Sequence, residues 1–487
     1  MSSTEHSKIK SWNWDTTYKS VNDQLFRKML PTKVDAPTLL VYNYELAAEM
    51  DLQDYSIDEA ILHLSGNAIP DGIEPIVQAY AGHQFGHFNI LGDGRAILLG
   101  EHVNGSNQRF DVQLKGAGRT PFSRNGDGRA TTYAMLREYL ISEAMNGLRI
   151  PTTRSLAVVA TGEEVYRERT NEGAVLTRIA SSHIRVGTFQ YAARFLHKPE
   201  LLEFTNYVIK RHYPSLLSEE NPALALLRTV QEKQIDLVVE WMRVGFIHGV
   251  LNTDNVSIAG ESIDFGPCAF MNAYHPETVF SSIDRDGRYA YGNQPIITQW
   301  NIAKLASALL PIIHEEESEA IKMCEAIIYE FPDQYESKWQ KMMAKKLGFA
   351  DEKAGDKELI DSLLKWMQDH GADYTNTFLN LTQPSSEFTG IYKEPAFLSF
   401  HQTWKERIKH LSFDTVQNLM QENNPNYIPR NHLVEEALTK AANNRDFTLL
   451  NELVLVLKSP YVKHANASHF QDPPSDGDRG YQTFCGT

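Results

Sequence analysis

The sequence holds little cysteine, few long apolar runs and no excess of positive charge. Three cysteines among 487 residues are too few for the disulfide framework of a small secreted protein, which favours a reducing compartment. We find no run of the roughly 18 apolar residues that a membrane-spanning helix needs. The N-terminal stretch MSSTEHSKIKSWNWD lacks the apolar segment of a secretory signal. These absences predict a cytoplasmic protein that does not enter a membrane.

The balance of charge is acidic. Asp and Glu number 62 against 47 Lys and Arg, a formal net charge of −15. A protein that binds nucleic acid needs a basic face, so we expect no nucleic-acid partner, although a local basic pocket for one nucleotide stays open. With 42% hydrophobic and 22% charged residues, the composition is that of a globular protein. The length suits about three domains or one large two-lobed one, at roughly 150 residues per domain.

Two parts of the chain differ in their periodicity. Between about residues 80 and 180, glycines are dense and short apolar runs alternate with turns, which is typical of β-strands. The runs are Arg95–Glu101, Phe110–Lys115, Ser155–Ala160 and Ala174–Ile179. A helix is predicted among them over Thr131–Asn146, and from about Val186 onward helical periodicity dominates. We therefore predict an α+β fold with a small β-rich lobe followed by a larger helical lobe.

Three elements of the β-rich region together suggest a nucleotide site. Gly92-Asp93-Gly94-Arg95 forms a turn whose glycines let backbone N–H groups approach a phosphate. Lys115 ends a predicted strand, and Glu138 lies in the middle of the predicted helix. In protein kinases such a glutamate forms an ion pair with such a lysine and holds it on the phosphates. Taken singly, the turn is an ordinary hairpin turn and the two charges are ordinary surface charges.

The fourth element, in the helical region, is the most informative. His248-Gly-Val-Leu-Asn-Thr-Asp-Asn255 is followed by Asp264-Phe265-Gly266. The order and spacing match the kinase catalytic loop H-R-D-L-x-x-x-N and the later D-F-G motif. Asn255 and Asp264 fall where kinases place their metal ligands, and amide and carboxylate oxygens suit Mg²⁺. The sequence thus predicts a kinase-like site for ATP and Mg²⁺, or Mn²⁺ in its place.

One position departs from a kinase. The catalytic aspartate, two residues after the histidine, is replaced by Val250, and the nearest carboxylate is that of Asp254. The chain is then either a non-catalytic nucleotide-binding scaffold or an enzyme with a different phosphate chemistry, and a plain kinase is a further alternative. The retained metal ligands and a surplus of arginines favour the different chemistry, since arginines bind phosphates in a bidentate manner. These arginines are Arg119, Arg124, Arg129, Arg178 and Arg185. Asp127-Gly128 adds a turn that suits a ribose or a base.

Four long segments resemble the selenoprotein O family, also called the YdiU family. They are YAGHQFGHFNILGDGRAILLGE from Tyr80, DVQLKGAGRTPFSRNGDGRATTYAMLREYLISEAM from Asp111, TRIASSHIRVGTFQYAA from Thr177 and HGVLNTDNVSIAGESIDFGPCAF from His248. The resemblance covers nearly the whole chain, including Cys485, which stands where eukaryotic members carry selenocysteine. It implies a protein-kinase-like fold that binds ATP in a reversed orientation. It also implies transfer of AMP to Ser, Thr or Tyr hydroxyls of proteins, with release of pyrophosphate, and bacterial members are credited with UMP transfer as well.

Carried over residue by residue, the resemblance implies a role for each matching position. The nucleotide would be bound by Gly92, Gly94, Arg95, Lys115, Asp127, Gly128, Arg178 and Arg185. Asn255 and Asp264 would bind the divalent metal. Asp254 would accept the proton of the attacking hydroxyl, and Glu138 would form the ion pair with Lys115.

The predicted organisation is bilobal and kinase-like. We predict an N-terminal extension (1–79), an N-lobe (80–182), a helical C-lobe (183–458) and a C-terminal tail (459–487). We expect a monomer whose partners are ATP and protein substrates. A further hypothesis is a reversible disulfide between Cys268, four residues after Asp264, and Cys485 in the tail. Cys324 is expected to be an inert core thiol.

Overall fold

The computed structural model describes residues 12–475 and 477–484, and its first lobe is built on one large antiparallel sheet. The strands are β1 (Trp14–Asp15), β2 (Phe26–Lys28), β3 (Thr38–Tyr42), β4 (Ile76–Gln84), β5 (His87–Gly92), β6 (Ala96–Val103), β7 (Arg109–Lys115), β8 (Arg154–Tyr166), β9 (Thr170–Ala180), β10 (Phe246–Ile247) and β11 (Ala269–Phe270). In the described chain the sheet runs in the order β2-β4-β6-β7-β9-β8-β3, with β1 beside β6 and β5 beside β4. β10 and β11 form a separate small hairpin in the second lobe.

The α-helices lie mainly after the sheet. They are α1 (Tyr44–Glu49), α2 (Ile57–Leu64), α3 (Thr132–Gly147), α4 (Val186–Phe195), α5 (Lys198–His212), α6 (Pro222–Val244), α7 (Gln294–Ile313), α8 (Glu317–Tyr329), α9 (Phe331–Lys346), α10 (Asp356–His370), α11 (Tyr374–Leu381), α12 (Pro395–Ile408), α13 (Phe413–Asn423), α14 (Asn431–Asn444) and α15 (Thr448–Lys458). The chain forms two helices between residues 431 and 458, because Arg445 adopts a left-handed conformation (φ 56°) that ends α14. The α+β fold with a small β-rich lobe and a larger helical lobe is confirmed.

Helix α7 has an unusual composition. By length and hydropathy it is the one helix in the described residues that could cross a membrane, although the sequence shows no uninterrupted apolar run. Half of its most apolar window is buried inside the protein, and it packs against α6 and α4. Core helices of water-soluble proteins can be equally long and apolar, so this helix is weak evidence for a membrane span.

Alternation along β7 decides which side chains reach the cleft between the lobes. Val112 and Leu114 are fully buried in a hydrophobic cluster with apolar residues of α1 and α2. Successive side chains of a strand point to opposite faces, so Asp111, Gln113 and Lys115 share the other face. Because β7 lies centrally in the sheet, between β6 and β9, three polar side chains are held at fixed positions on the face that looks towards the second lobe.

The residues before position 80 are part of the sheet. β1 pairs with β6, β2 with β4 and β3 with β8. The predicted division after residue 79 falls within β4 (Ile76–Gln84). These elements could not be recognised from periodicity, since the longest element before β4 is the eight-residue α2. A segment predicted as an extension therefore supplies strands to the same sheet as the nucleotide-site residues.

The connection between the lobes is short. β9 ends at Ala180 and α4 begins at Val186, and the intervening segment contains the predicted site residue Arg185. On the other side of the cleft, α6 ends at Val244 and is followed by Gly245, a left-handed residue (φ 74°) that lets the chain turn back. The chain then passes through β10, the predicted catalytic loop and β11. The predicted site residues thus flank one cleft.

Candidate nucleotide-binding and catalytic site

The structure brings nearly all predicted site residues into one cleft. Its volume is about 310 Å³, at the lower end of the roughly 300–1,000 Å³ of small-molecule sites. The predicted residues that line it are Gly92, Gly94, Arg95, Lys115, Asp127, Gly128, Arg178, Arg185, Asp254, Asn255 and Asp264. Glu138 does not line the cleft but lies directly behind Lys115.

The inner end of the cleft is an ion-pair cluster of Lys115, Glu138 and Asp264, and Arg178 Nη1 lies 3.9 Å from Glu138 Oε2 at its border. Lys115 Nζ donates hydrogen bonds to the carboxylates of both Glu138 and Asp264. Lys115 and Glu138 are buried, with about 4% and 3% of their surfaces exposed. Burial alone would raise the pKa of Asp264, but the Lys115 ammonium and Arg178 hold it well below its usual value. The charged groups of the inner end are therefore paired with one another inside the protein.

Two buried arginines form the outer wall. Arg178 donates from Nε (3.2 Å) and Nη2 (2.6 Å) to Gln113 Oε1, and Gln113 Nε2 donates to Asp93 Oδ2 at 3.1 Å. Asp93 Oδ1 lies 3.7 Å from Arg185 Nη1. The Arg185 guanidinium is stacked 4.4 Å above the ring centre of Tyr80. One carboxylate and one amide thus position both arginines.

These arginines keep hydrogen-bonding capacity that the protein does not use. Nη1 of Arg178 and both Nε and Nη1 of Arg185 are buried without a hydrogen-bond partner among the described residues. Leaving a buried charged donor unpaired is costly, and buried cationic donors in a cleft are the groups that bind phosphate oxygens. The outer wall is suited to an anionic ligand.

The glycine turn and the following loop are closely packed. A Cβ atom on Gly92 would lie 2.3 Å from the ring of Phe122, and one on Gly94 would lie 3.1 Å from the carbonyl oxygen of Phe122. The hydroxyl of Thr120 donates to the backbone oxygen of Asp93 at 2.6 Å. Only glycine fits at position 92 without displacing this loop, so the turn is fixed over the cleft.

The mouth of the cleft is more exposed and already partly paired. Asp127 accepts hydrogen bonds from Arg167 at 2.8 and 3.0 Å, so a ribose or base would have to compete with this arginine. Gly128 is left-handed (φ 72°), and a Cβ there would meet Gly118 O at 2.1 Å. Arg124 and Arg129 line the mouth as well. Arg119, predicted with them, is not part of the lining and donates to the backbone oxygen of Arg124 at 3.2 Å.

Asp254 occupies a distinctive place opposite the arginines. Its Oδ1 is buried without a hydrogen-bond partner in the described structure. The backbone of Gly82 lies so close that a Cβ there would be 2.4 Å from this oxygen. Burial raises the pKa of Asp254 to about 6, although Arg185 and Arg124 lower it. A carboxylate with a free oxygen and such a pKa is suited to accept a proton near neutral pH.

The loop before Asp254 is held by hydrogen bonds, and it leaves no base where a kinase has one. His248 Nε2 bonds to the backbone oxygen of Ile263 at 3.0 Å, and the side chain of Asn255 donates to Val250 O at 2.9 Å. Val250 is itself buried. Hydrogen bonds thus fix the loop, and an apolar side chain stands where the kinase motif has its catalytic carboxylate.

The donor set at this place fits a hard divalent cation. Asn255 uses its amide nitrogen on Val250 O, which leaves its oxygen for other partners, and Asp264 offers a carboxylate on the same cleft wall. No cluster of three or more His, Cys, Asp or Glu side chains suited to a metal occurs in residues 12–475 and 477–484. Two protein oxygens completed by substrate phosphates are the usual arrangement for Mg²⁺.

The segment after Asp264 is held by α3 and by the end of the described chain. Arg137, next to Glu138, donates to the backbone oxygens of Gly266 (3.0 Å) and Cys268 (2.6 Å). The Thr483 hydroxyl donates to Pro267 O at 2.6 Å. From residue 459 on, the predicted tail therefore packs back on the protein as far as it is described.

Two of the three cysteines, Cys268 and Cys324, lie within the described residues. Cys268 is buried, its thiol donates to Phe265 O at 3.2 Å, and burial raises its pKa to about 12. A thiol of this kind is protonated and unreactive at neutral pH. Cys485, the proposed disulfide partner, lies outside the described residues, so the disulfide stays a prediction. Cys324 is buried in α8, as expected of a core thiol.

Five residues that contact or support the candidate site are not indicated by the sequence motifs. They are Tyr80, Asp93, Gln113, Arg137 and Arg167. Two signals could have found some of them: Asp93 is inside the Gly-Asp-Gly turn, and Gln113 precedes Lys115 by two positions and so shares its strand face. Arg167 gave no signal, because it reaches Asp127 from a turn 40 residues further along the chain.

Comparison with known proteins agrees with this geometry. A family model described as "Protein adenylyltransferase SelO" matches residues 8–458. The chain is 51% identical over 480 residues to a protein of Bacillus cytotoxicus named "Protein nucleotidyltransferase YdiU", covering 98% of each chain. Proteins of the same name from Anoxybacillus flavithermus and Syntrophotalea carbinolica are 52% identical over 481 residues and 50% identical over 480. These alignments cover 98% of this chain and 99% and 98% of the two relatives.

Proposed function

Since the chain belongs to the SelO family of protein nucleotidyltransferases, we propose that it transfers AMP from ATP to Ser, Thr or Tyr hydroxyls of proteins. The observation that carries the proposal is the pairing of two features in one cleft. The lysine–glutamate–aspartate cluster of a kinase is complete, yet the only carboxylate with a free buried oxygen in the lining is that of Asp254, not one at the kinase position. Such a site suits nucleotide chemistry other than γ-phosphoryl transfer.

The proposed reaction is a displacement at the α-phosphorus. The acceptor hydroxyl gives its proton to the Asp254 carboxylate while its oxygen forms a bond to the α-phosphorus. The bond between the α-phosphorus and the oxygen that bridges to the β-phosphate breaks, and pyrophosphate leaves with that electron pair. The product is a phosphodiester between AMP and the protein side chain. Phosphoryl-type transfer depends mainly on positioning and on stabilisation of charge.

The protein's own residues divide these tasks. Arg178, Arg185 and Lys115 bind the phosphates and stabilise the charge that moves to pyrophosphate, since they are buried cationic groups of the cleft lining. Glu138 keeps the Lys115 ammonium in place. A Mg²⁺ or Mn²⁺ ion held by Asn255 and Asp264 would supply further neutralisation of the phosphates when bound.

Three labelled nucleotides test the proposal. The purified protein is incubated with a divalent metal, a mixture of acceptor proteins and α-labelled ATP, γ-labelled ATP or α-labelled UTP in separate reactions. Label on protein from α-labelled ATP, with release of pyrophosphate, is the expected result. Label from γ-labelled ATP would instead identify a kinase, and label from UTP alone would identify a uridylyltransferase. Label from none of the three would leave a nucleotide-binding scaffold.

A further inference from the structure

Beside the catalytic loop, ring contacts assemble a group of aromatic and basic side chains, which we call the Trp300 patch. It consists of His83, Phe88, Arg288, Trp300 and Lys304. The His83 ring lies edge-on to Phe88 and to Trp300, with centroid distances of 5.3 Å in both pairs. Arg288 and Lys304 lie over the Trp300 ring at 4.8 and 4.9 Å from its centre. Phe88 is 45% exposed, so the patch reaches the protein surface.

The Trp300 patch is tied to the residues that immediately precede Asp254. The backbone N–H of His83 donates to the Thr253 hydroxyl at 2.7 Å. Tyr289, the neighbour of Arg288, donates from its hydroxyl to the side chain of Asn252. Two separate chain segments of the patch are therefore anchored within two residues of the proposed proton acceptor, and the patch holds a fixed position relative to the transfer step.

The positive charge of the Trp300 patch is not balanced by an ion pair within residues 12–475 and 477–484. Arg288 and Lys304 form no ion pair with any residue that the structure describes, and Arg288 Nε is buried without a hydrogen-bond partner there. Neither residue lines the nucleotide cleft, so the nucleotide phosphates are not the anion they bind. In a chain of net charge −15, two unpaired cations next to the catalytic loop favour an anionic partner.

We propose that the Trp300 patch docks an acidic segment of the protein substrate close to the acceptor hydroxyl. The inference rests on the proposed function, which requires that a protein hydroxyl reach Asp254. Aspartate or glutamate side chains pair with Arg288 and Lys304, while the exposed ring of Phe88 contacts the apolar part of the segment. An extended chain covers roughly 3.3–3.6 Å per residue, so the acidic residues lie within a few positions of the acceptor. The patch thereby selects acceptor sites by their surroundings.

Matched peptides test this selection. Two peptides carry the same acceptor hydroxyl, flanked at the second to fourth positions on both sides by Asp in one and by the isosteric, neutral Asn in the other. With α-labelled ATP and Mg²⁺ or Mn²⁺, kcat/KM of the wild type should be about fivefold higher for the Asp peptide. The difference should lie in KM and should shrink at 0.5 M salt, because screening weakens exposed charge pairs.

Two variants test whether the Trp300 patch causes the preference for the Asp peptide. The double variant Arg288→Gln, Lys304→Met should treat both peptides alike, whereas Lys322→Met, a change of an exposed lysine paired with Glu319 on α8, should keep the preference. Equal use of the two peptides by the wild type, or a preference that survives in the double variant, would overturn the inference. So would a failure to label either peptide while whole proteins are labelled.

Labelling of a protein mixture by the wild type separates this inference from the proposed function. If whole proteins take up label from α-labelled ATP but the peptides show no acidic preference, only the docking inference fails. If no protein takes up the label, the proposed function itself fails. Thermal unfolding of the double variant, expected to match the wild type within a few degrees, shows that a lost preference does not come from misfolding.

Discussion

The buried charges at the two ends of the cleft are compensated to different extents by the protein itself. At the inner end, Lys115 is paired with two carboxylates inside the protein. At the outer end, Arg178 and Arg185 keep buried donors without hydrogen-bond partners in the described structure. The inner end is complete before any ligand arrives, whereas the outer end is completed only by a ligand that carries negative charge. The buried donors that have no hydrogen-bond partner in the described structure are thus those of the two arginines, whereas the donors of Lys115 are already shared with carboxylates.

The difference predicts how each end responds to mutation. Removing one member of an internally paired cluster leaves a buried charge uncompensated, which typically costs about 3–5 kcal/mol. Loss of a donor group that has no hydrogen-bond partner in the free protein should instead appear mainly as weaker nucleotide binding or slower transfer. Four experiments separate these two behaviours, and they are ordered by the size of the expected effect.

The largest effect is expected at the inner end, from Asp264→Asn. The variant removes a metal-binding carboxylate and one of the two partners of Lys115, so transfer should fall by at least about 10³-fold. The measurement is incorporation of α-label from ATP into protein. Asp236→Asn, which changes an exposed carboxylate of α6 that is paired with Lys338 of α9, is the control and should stay near wild-type activity. A transfer rate above a tenth of the wild-type rate in Asp264→Asn would contradict the predicted difference between the two ends of the cleft.

Asp254→Asn should come next and should affect transfer without affecting binding. Loss of a general base typically costs about 10²–10⁴-fold, while the affinity for ATP, measured by calorimetry, should stay within a fewfold of the wild type. Burial raises the pKa of Asp254 to about 6, and a bound cation lowers it. The wild-type rate should therefore rise with pH, with a midpoint at or below about 6, since the base must be ionised. An unchanged rate in the variant would exclude the base role.

Smaller effects are expected from the two residues that position the arginines. Asp93→Asn and Gln113→Leu leave every phosphate-binding side chain in place but remove the contacts of Arg185 and Arg178 with their supports. Displacement by about 1 Å can cost about 10²-fold in rate, so we expect roughly 10- to 100-fold lower kcat/KM. In Gln113→Glu, which keeps the acceptor for Arg178, a partial recovery should distinguish positioning from a general loss of stability. The variants should unfold at the same temperature as the wild type, which would show that the lower kcat/KM does not come from a loss of stability.

The smallest effect is expected from a change at the exposed mouth of the cleft. Arg167→Gln breaks the pair with Asp127, in which the aspartate is about half exposed. Exposed ion pairs contribute about 0–1 kcal/mol, so the KM for ATP should change by less than about fivefold and kcat should not change. A large loss of kcat in this variant would show that the mouth, too, is a preassembled part of the site.

The sequence predicted those parts of the site whose residues are close in the chain. His248, Asn255 and Asp264 lie within seventeen positions, and their spacing alone indicates a catalytic loop. The turn Gly92–Arg95 and the pair Lys115–Glu138 were recognisable for the same reason. The four strands and the helix predicted between residues 95 and 179 correspond to β6, β7, β8, β9 and α3, because each carries its own hydrophobic pattern.

What could not be predicted depends on register between distant strands. Gln113 and Arg178 are direct cross-strand partners in the β7–β9 ladder, and no local pattern indicates which residues will face each other. The strands before residue 80 are too short to show a period, yet they complete the sheet. The composition of the last residues suggested an extended tail, although Tyr481 donates to Glu435 at 2.8 Å and Asp478 accepts from Asn272 at 2.7 Å.

The position of these last residues has a consequence for the order in which the protein matures during translation. Thr483 donates to Pro267 and pairs with Phe280 and Ser282 through backbone hydrogen bonds. The ribosome makes Thr483 216 residues after Pro267, when both lobes have already been synthesised. A nascent chain can therefore fold its sheet and its helices before the segment after Asp264 receives its last partners. Truncation by a late stop codon or by a protease would remove these contacts and leave the segment after Asp264 held by Arg137 of α3 without Thr483.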